Sequence, residues 1–344
     1  MTSVEVRSFA ANSGRDAMAA EGESPPVERL DADMRHVLAV LGQMGGRPIE
    51  LLRTPEARAQ PTLDMALRRI LRDAHDDQGI NMEMRLLAGP AGDIRARIYT
   101  PQAEAAASRP LLLYFHPGAF VLGDVDNYDA TPRTLAQRTG AVVVSSHYRQ
   151  APEHRFPAAH EDAFGAWNWL VEHAASLGAD PRRMAIVGEG SGANLAVNVA
   201  LRVKAHGGRA PLHLGLVTPM ATLGFDLPSH FETEDTGPFR TETFKWAARK
   251  LLRKKEDALD PRLDLIERTD LGGLPPATVI LAEADPLRSE GEALADQLRR
   301  SGVWVDSTTY EGVTHGFFGL YQIVNKAMFA QSQLARNLSA AFGG

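Results

Sequence analysis

Cysteine is absent from the 344 residues. The chain therefore has no disulfide, no thiolate metal ligand and no cysteine nucleophile. An excess of basic residues is also missing: 37 Lys and Arg stand against 43 Asp and Glu, a formal net charge of -6. Phosphate backbones attract clustered lysine and arginine, so no nucleic-acid partner is expected. No uninterrupted apolar run approaches the roughly 18–20 residues of a membrane span. Residues 1–22 carry no apolar core flanked by basic residues, as a secretory signal would. These absences predict a cytoplasmic protein with no membrane span. There is no internal repeat. The composition that remains, 44% hydrophobic and 23% charged, is that of a soluble globular protein. Its length suits one large α/β domain or two ordinary ones.

Residues 1–26, ending Gly22-Glu23-Ser24-Pro25-Pro26, are small, polar and without period. They predict a flexible N-terminal arm ahead of one domain over 27–344. From Leu30 onward, Met34, Val37, Leu38 and Leu41 recur at helical spacing until Gly45-Gly46. A second amphipathic helix starts near Pro61-Thr62, with Leu63, Ala66, Leu67, Ile70 and Leu71 on one face. Segments 82–87 and 94–99 alternate as half-buried antiparallel strands do, with a turn at Ala91-Gly92-Asp93 between them. Leu111-Leu112-Leu113-Tyr114-Phe115 is continuously apolar, which predicts a strand buried on both faces.

Strands and helices then alternate: strands at 142–144, 184–187, 212–217, 278–281 and 303–309, helices at 163–175, 192–203, 290–301 and 327–341. That order implies a mostly parallel sheet wrapped by helices, with an antiparallel edge at its start. Residues 221–270 interrupt the alternation and are too long for a plain loop. With the early helices of 30–75, they are expected to form a cap over the carboxyl edge of the sheet.

An apolar run, Met184-Ala185-Ile186-Val187, enters the corner Gly188-Glu189-Gly190-Ser191-Gly192, and a small-residue helix leaves it. Strand, sharp turn and helix are the setting of the G-x-S-x-G elbow that carries the nucleophile of α/β-hydrolases. Here the middle position is Gly190. The spacing lacks the third glycine of a dinucleotide fingerprint, so no nucleotide is implied. Four further motifs stand in order around the corner: Phe115-His116-Pro117-Gly118-Ala119-Phe120, Tyr148-Arg149-Gln150-Ala151-Pro152-Glu153, Asp285-Pro286-Leu287-Arg288 and His315-Gly316-Phe317. Together, over about residues 30–340, they resemble the hormone-sensitive-lipase-like esterases of the α/β-hydrolase superfamily, whose motifs read H-G-G-G-[FW], Y-R-L-A-P-E, G-D-S-A-G-G-N-L-A, D-P-L-R-D and H-G-F.

The resemblance implies an α/β-hydrolase fold, with a mostly parallel eight-stranded sheet, helices on both faces and a helical cap. Aligned on Asn194-Leu195-Ala196, Gly190 takes the position of the catalytic serine, Asp285 that of the acid and His315 that of the base. The oxyanion donors would be the N–H groups of Gly118, Ala119 and Ser191, with His116, Gly188, Glu189 and Gly192 as motif support. Two departures accompany Gly190: Pro117 for the first glycine and Ala119 for the third. Proline removes a donor only where none is needed. Ala119 keeps its N–H but fits only if φ there is not strongly positive.

Ser191 is the other nucleophile to weigh. The strained elbow demands small residues two places either side of the nucleophile. Gly188 and Gly192 satisfy that for position 190, whereas Ser191 would be flanked by Glu189 and Ala193. Its Oγ is expected to point away from His315. Tyr148 to Glu153 reads as scaffold, without a part in the reaction.

The resemblance implies, as parent chemistry, hydrolysis of small carboxylic esters of short-to-medium acyl chain, and it implies no metal, flavin or other cofactor. Three readings of Gly190 stay open. The chain is an esterase whose serine was replaced, a natural non-catalytic relative that binds a small molecule, or a relative doing lyase-like chemistry with the histidine and oxyanion hole alone. Phe120, Phe231, Phe239, Phe317 and Phe318 serve equally as walls of an apolar pocket or as core. A homodimer through an edge strand or the last helix is left open.

Overall fold

The computed structural model describes residues 29–72, 79–103, 108–233 and 237–343. The arm expected over 1–26 lies outside them. The two alternating segments are β1 (Ile80–Gly89) and β2 (Gly92–Pro101), paired antiparallel with Gly89 opposite Gly92. Six strands follow: β3 (Arg109–Phe115), β4 (Val142–Ser146), β5 (Ala179–Glu189), β6 (Leu214–Val217), β7 (Ala277–Ala284) and β8 (Val305–Thr314). All eight form one sheet in the order β1-β2-β4-β3-β5-β6-β7-β8. β2 meets β4 antiparallel, and every pairing from β4 to β8 is parallel.

Three helices precede the sheet: α1 (Ala32–Gln43), α2 (Thr54–Arg58) and α3 (Leu63–Leu71). α4 (Ala130–Thr139), α5 (Ala158–His173), α6 (Ser191–His206), α7 (Ser229–Glu232), α8 (Thr241–Leu251), α9 (Arg288–Arg300) and α10 (Asn325–Ala341) complete the chain. Sequence periodicity does not reveal α4. The residues it buries include Thr131, Pro132 and Thr134, so it carries no continuous apolar stripe.

Alternate residues of each central strand enter two apolar clusters, one on each face of the sheet. Leu111, Leu113 and Phe115 join Val142, Val144, Met184 and Ile186 in one cluster. Leu112 and Tyr114 join Val143, Ala185 and Val187 in the other. Burial on both faces is why these strands read as continuous apolar runs.

The parallel strands end at one edge. There β3 delivers His116, β5 Glu189 and Gly190, β7 Asp285 and β8 His315. The segment between β6 and β7, carrying α7 and α8, reaches the N-terminal helices at that edge. Trp246 Nε1 donates to Leu52 O at 3.2 Å, and Thr243 Oγ1 donates to Glu50 at 3.2 Å. From α2, Arg58 donates to Val121 O, Ala151 O and both carboxylate oxygens of Glu153 at 2.8–2.9 Å.

Candidate active site

The corner between β5 and α6 is set by contacts that only glycine tolerates. A β-carbon at Gly188 would lie 2.1 Å from Gly192 O, and one at Gly192 would lie 2.1 Å from Phe115 O. Both clashes are with backbone, so strand and helix pack this closely only with glycine at both places. Gly190 sits at the apex with φ 53° and ψ −118°. Its N–H donates to Val217 O at 2.9 Å, and its carbonyl accepts from Met220 N at 3.0 Å and Ala193 N at 3.1 Å. A β-carbon there would stand 3.2 Å from Pro117 Cβ and 3.9 Å from His315 Cε1. A side chain at position 190 thus points at the imidazole.

His315 Nδ1 donates to Asp285 Oδ2 at 2.9 Å, while Asp285 Oδ1 accepts from Leu287 N at 2.8 Å. Both side chains are buried. Phe239 and Phe244 meet the His315 ring edge-on, with centroids 5.2 and 5.4 Å away. Burial pushes the His315 pKa down, but the Asp285 carboxylate and its hydrogen bond, with Glu189 and Glu290 farther off, outweigh burial and raise it. With Nδ1 held by the carboxylate, Nε2 is the nitrogen free to exchange a proton.

After β3 the chain turns sharply. Val121 N and Leu122 N both donate to Gly118 O, at 3.0 and 2.8 Å. Gly118 has φ 127°, and a β-carbon there would strike Leu122 O at 1.9 Å. Ala119 has φ 51° and Phe120 φ 63°. The φ of Ala119 is positive but falls within the left-handed well, so the condition that it not be strongly positive is met. The left-handed well near +50 to +70° admits a β-carbon at a cost of roughly 1–2 kcal/mol, and the doubly bonded turn imposes it. Among the described residues, the N–H groups of Gly118, Ala119 and Ser191 donate to no acceptor.

Ser191 Oγ lies 3.3 Å from the Tyr148 hydroxyl, which itself donates to His116 O at 3.0 Å. It is engaged with Tyr148 and not with the imidazole. The same tyrosine stacks on His116 with centroids 4.5 Å apart, and the His147 ring lies 5.3 Å from His116 on a similar plane. Burial, helped by His147, pushes His116 down to about 3, so it is neutral at ordinary pH.

A small cavity of about 50 Å³ lies beside the corner, between Pro117, Glu189 and His315. Thr62, Leu63 and Asp64 of the α3 segment, Pro117, Glu189, Phe239 and His315 are among its walls. Glu189 is buried and accepts from the Tyr114 hydroxyl at 2.7 Å; burial raises its pKa against that bond. Burial also pushes Asp64 up to about 6, opposed by Arg68 at 2.8 Å. Of the five phenylalanines weighed as walls, Phe239 lines the cavity. Phe120, Phe317 and Phe318 are core, and Phe231 is exposed.

A second buried network, which no sequence motif signalled, holds the loop after β7 that carries Asp285. Glu290 Oε2 accepts from Ala221 N at 2.5 Å and Thr222 N at 2.9 Å, and Oε1 accepts from His230 Nε2 at 3.2 Å. Ser229 Oγ donates to Pro286 O at 2.7 Å and accepts from Ser289 N at 3.0 Å. Helix α7 is thereby tied to the loop that presents Asp285.

Residues 112–319 match the family described as having the alpha/beta hydrolase fold. The chain belongs to the α/β-hydrolase family. Within this family it is typical of the hormone-sensitive-lipase-like esterases. An ethyl acetate hydrolase of Pseudomonas putida is 32% identical over 304 residues, covering 87% of this chain and 95% of that one. The esterase LipI of Mycobacterium tuberculosis is 35% identical over 283 residues, covering 78% and 85%. A hyperthermophilic esterase of the archaeon Pyrobaculum calidifontis superposes with a TM-score of 0.83 at 35% identity, over 90% of this α/β-hydrolase and 98% of the archaeal chain. Carboxylic ester hydrolysis is the activity of the family.

Proposed function

We propose that this chain is an esterase-type site for small carboxylic esters in which Gly190 stands where the nucleophilic serine belongs, so that no acyl-enzyme forms. Asp285 and His315 are the acid and base, and the N–H groups of Gly118, Ala119 and Ser191 receive the carbonyl oxygen. Helices α1–α3 and the segment carrying α7 and α8 act as the cap. The observation that carries this reading is the direction of position 190, whose β-carbon would lie 3.9 Å from His315 Cε1. Every part needed for acyl transfer converges there except the attacking oxygen.

Without that oxygen, turnover requires direct attack by water. His315 Nε2 takes a proton from water as its oxygen bonds to the ester carbonyl carbon, and the carbonyl electron pair moves to the oxygen facing the three N–H groups. Collapse breaks the bond to the alcohol oxygen, which receives the proton back from His315. Loss of a triad member leaves roughly 10³–10⁴-fold catalysis over water, so binding dominates over hydrolysis. The hydroxyl of Ser191, engaged with Tyr148, is the less favoured nucleophile.

Gly190→Ser tests the proposal. Hydrolysis of p-nitrophenyl acetate should rise by orders of magnitude, begin with a burst of p-nitrophenol, and vanish on adding His315→Ala. A folded serine variant that gains nothing, whether residue 117 is proline or glycine, refutes the reading. Ser191→Ala leaves the residual rate of the parent chain unchanged within a factor of about three; abolition would assign Ser191 as the nucleophile.

A further inference from the structure

The ring at Pro117 is the nearest neighbour of any side chain placed on the elbow apex. A β-carbon at 190 would lie 3.2 Å from Pro117 Cβ and 3.8 Å from Pro117 Cα. Carbon–carbon contact is favourable at about 3.5–4.0 Å, so one partner has to yield by a few tenths of an ångström. Neither yields freely. Pro117 is buried and its φ is fixed by its ring. Its carbonyl lies 2.7 Å from His116 Nδ1, and His116 is held in the stack with Tyr148 and His147. The residue after it opens the turn closed on Gly118 O. On the other side, the apex is pinned by three backbone hydrogen bonds to Val217, Met220 and Ala193.

We propose that Pro117 and Gly190 are a matched pair: proline at 117 occupies the contact surface that a β-carbon at 190 needs. Pro117 is then a specificity-determining residue for what position 190 holds, and it lowers the reactivity of any serine installed there. The attacking oxygen of such a serine is carried by the crowded β-carbon. A displacement of a few tenths of an ångström there moves it off the line between His315 Nε2 and the ester carbon, where near-attack geometry is demanding. This second effect rests on the functional reading above, whereas the contact itself does not.

A double-mutant cycle separates the two. Gly190→Ala adds the β-carbon, with a backbone strain at φ 53° that is common to all backgrounds, and is made beside the native proline, beside Pro117→Gly, which removes the opposing β-carbon, and beside Pro117→Ala, which keeps it while opening the ring. Melting temperatures are expected to fall by several degrees when Gly190→Ala is added to the native or Pro117→Ala protein. Beside Pro117→Gly the fall should be clearly smaller. Equal falls in all three backgrounds overturn the pairing. For chemistry, Gly190→Ser is assayed alone and with Pro117→Gly. The double variant should hydrolyse p-nitrophenyl acetate faster on the order of tenfold, a difference of about 1.4 kcal/mol in barrier. Equal rates would show that Pro117 does not restrain the nucleophile. If both serine variants are inert while the melting temperatures remain coupled, the pairing stands and the esterase reading fails.

Discussion

Three glycines within five residues serve different ends at the corner. Gly188 and Gly192 are demanded by packing, because a methyl on either would overlap backbone at 2.1 Å. Gly192→Ala should therefore destabilise the protein by roughly 3 kcal/mol or more, measured by urea unfolding, and well beyond any loss from Gly190→Ala. The imidazole makes a second prediction. Asp285 raises the pKa of His315 over the opposing effect of burial. A histidine raised on folding adds stability below its unfolded pKa near 6.5 and loses it as pH climbs through the folded value. The stability gap between the native chain and Asp285→Asn should accordingly be larger at pH 5 than at pH 9 in urea titrations. A gap independent of pH would show that Asp285 acts on His315 by packing alone. Strand, glycine corner and helix leave a local signature in the sequence, whereas Asp285 and His315 stand out only through the resemblance of their motifs to those of the family. The φ of Ala119 was not legible. It is set by two hydrogen bonds onto Gly118 O that no composition reports.

At the scale of elements, the regular patterns were readable and the irregular ones were not. Strands β3 and β4 announce themselves by unbroken apolar runs, and α3 by a stripe from Leu63 to Leu71. Helix α4 is hidden because its buried face is largely threonine, proline and alanine. The link between α7 and the Asp285 loop is hidden for a different reason. Its partners, Ser229 with Pro286 and His230 with Glu290, lie about sixty residues apart and carry no spacing rule. Glu290→Ala would leave the N–H groups of Ala221 and Thr222 buried without an acceptor, at a cost of about 3 kcal/mol. Glu290→Gln, which keeps one acceptor oxygen, should cost less. Hydrogen exchange at Ala221 and Thr222 reads the effect directly, and unchanged protection in Glu290→Ala would refute it. Arg58→Ala should loosen α2 from the turn at Val121 and the segment at Ala151, which limited proteolysis of the N-terminal helices would report.

Across the whole molecule, acid sensitivity is spread over three buried histidines, two of them close to the elbow and its helix. Burial pushes His116 down to about 3 and both His160 and His213 down to about 4. For a histidine depressed on folding, stability is full above the unfolded pKa near 6.5 and is lost as pH falls toward the folded value. By pH 5 each withdraws about 2 kcal/mol. Replacing one of them, His213→Asn, should shrink the loss of stability between pH 7 and pH 5 by about that amount in urea titrations; an unchanged loss would mean that His213 is protonated without penalty. Fold class was legible at this scale from the alternation of strands and helices. The pairing of β2 with β4, which places β3 inside the sheet, was not.

The contact between Pro117 and the apex of the elbow also bears on history. Proline at 117 sits comfortably only opposite a residue without a β-carbon. On the proposed pairing, a lineage passing from serine to glycine at 190 would accept that proline more readily once the serine had gone, and a lineage regaining serine would recover its full rate only after shedding the proline. Under that pairing the two positions behave as a partial latch: serine returned alone recovers part of the rate, and loss of the proline recovers the rest.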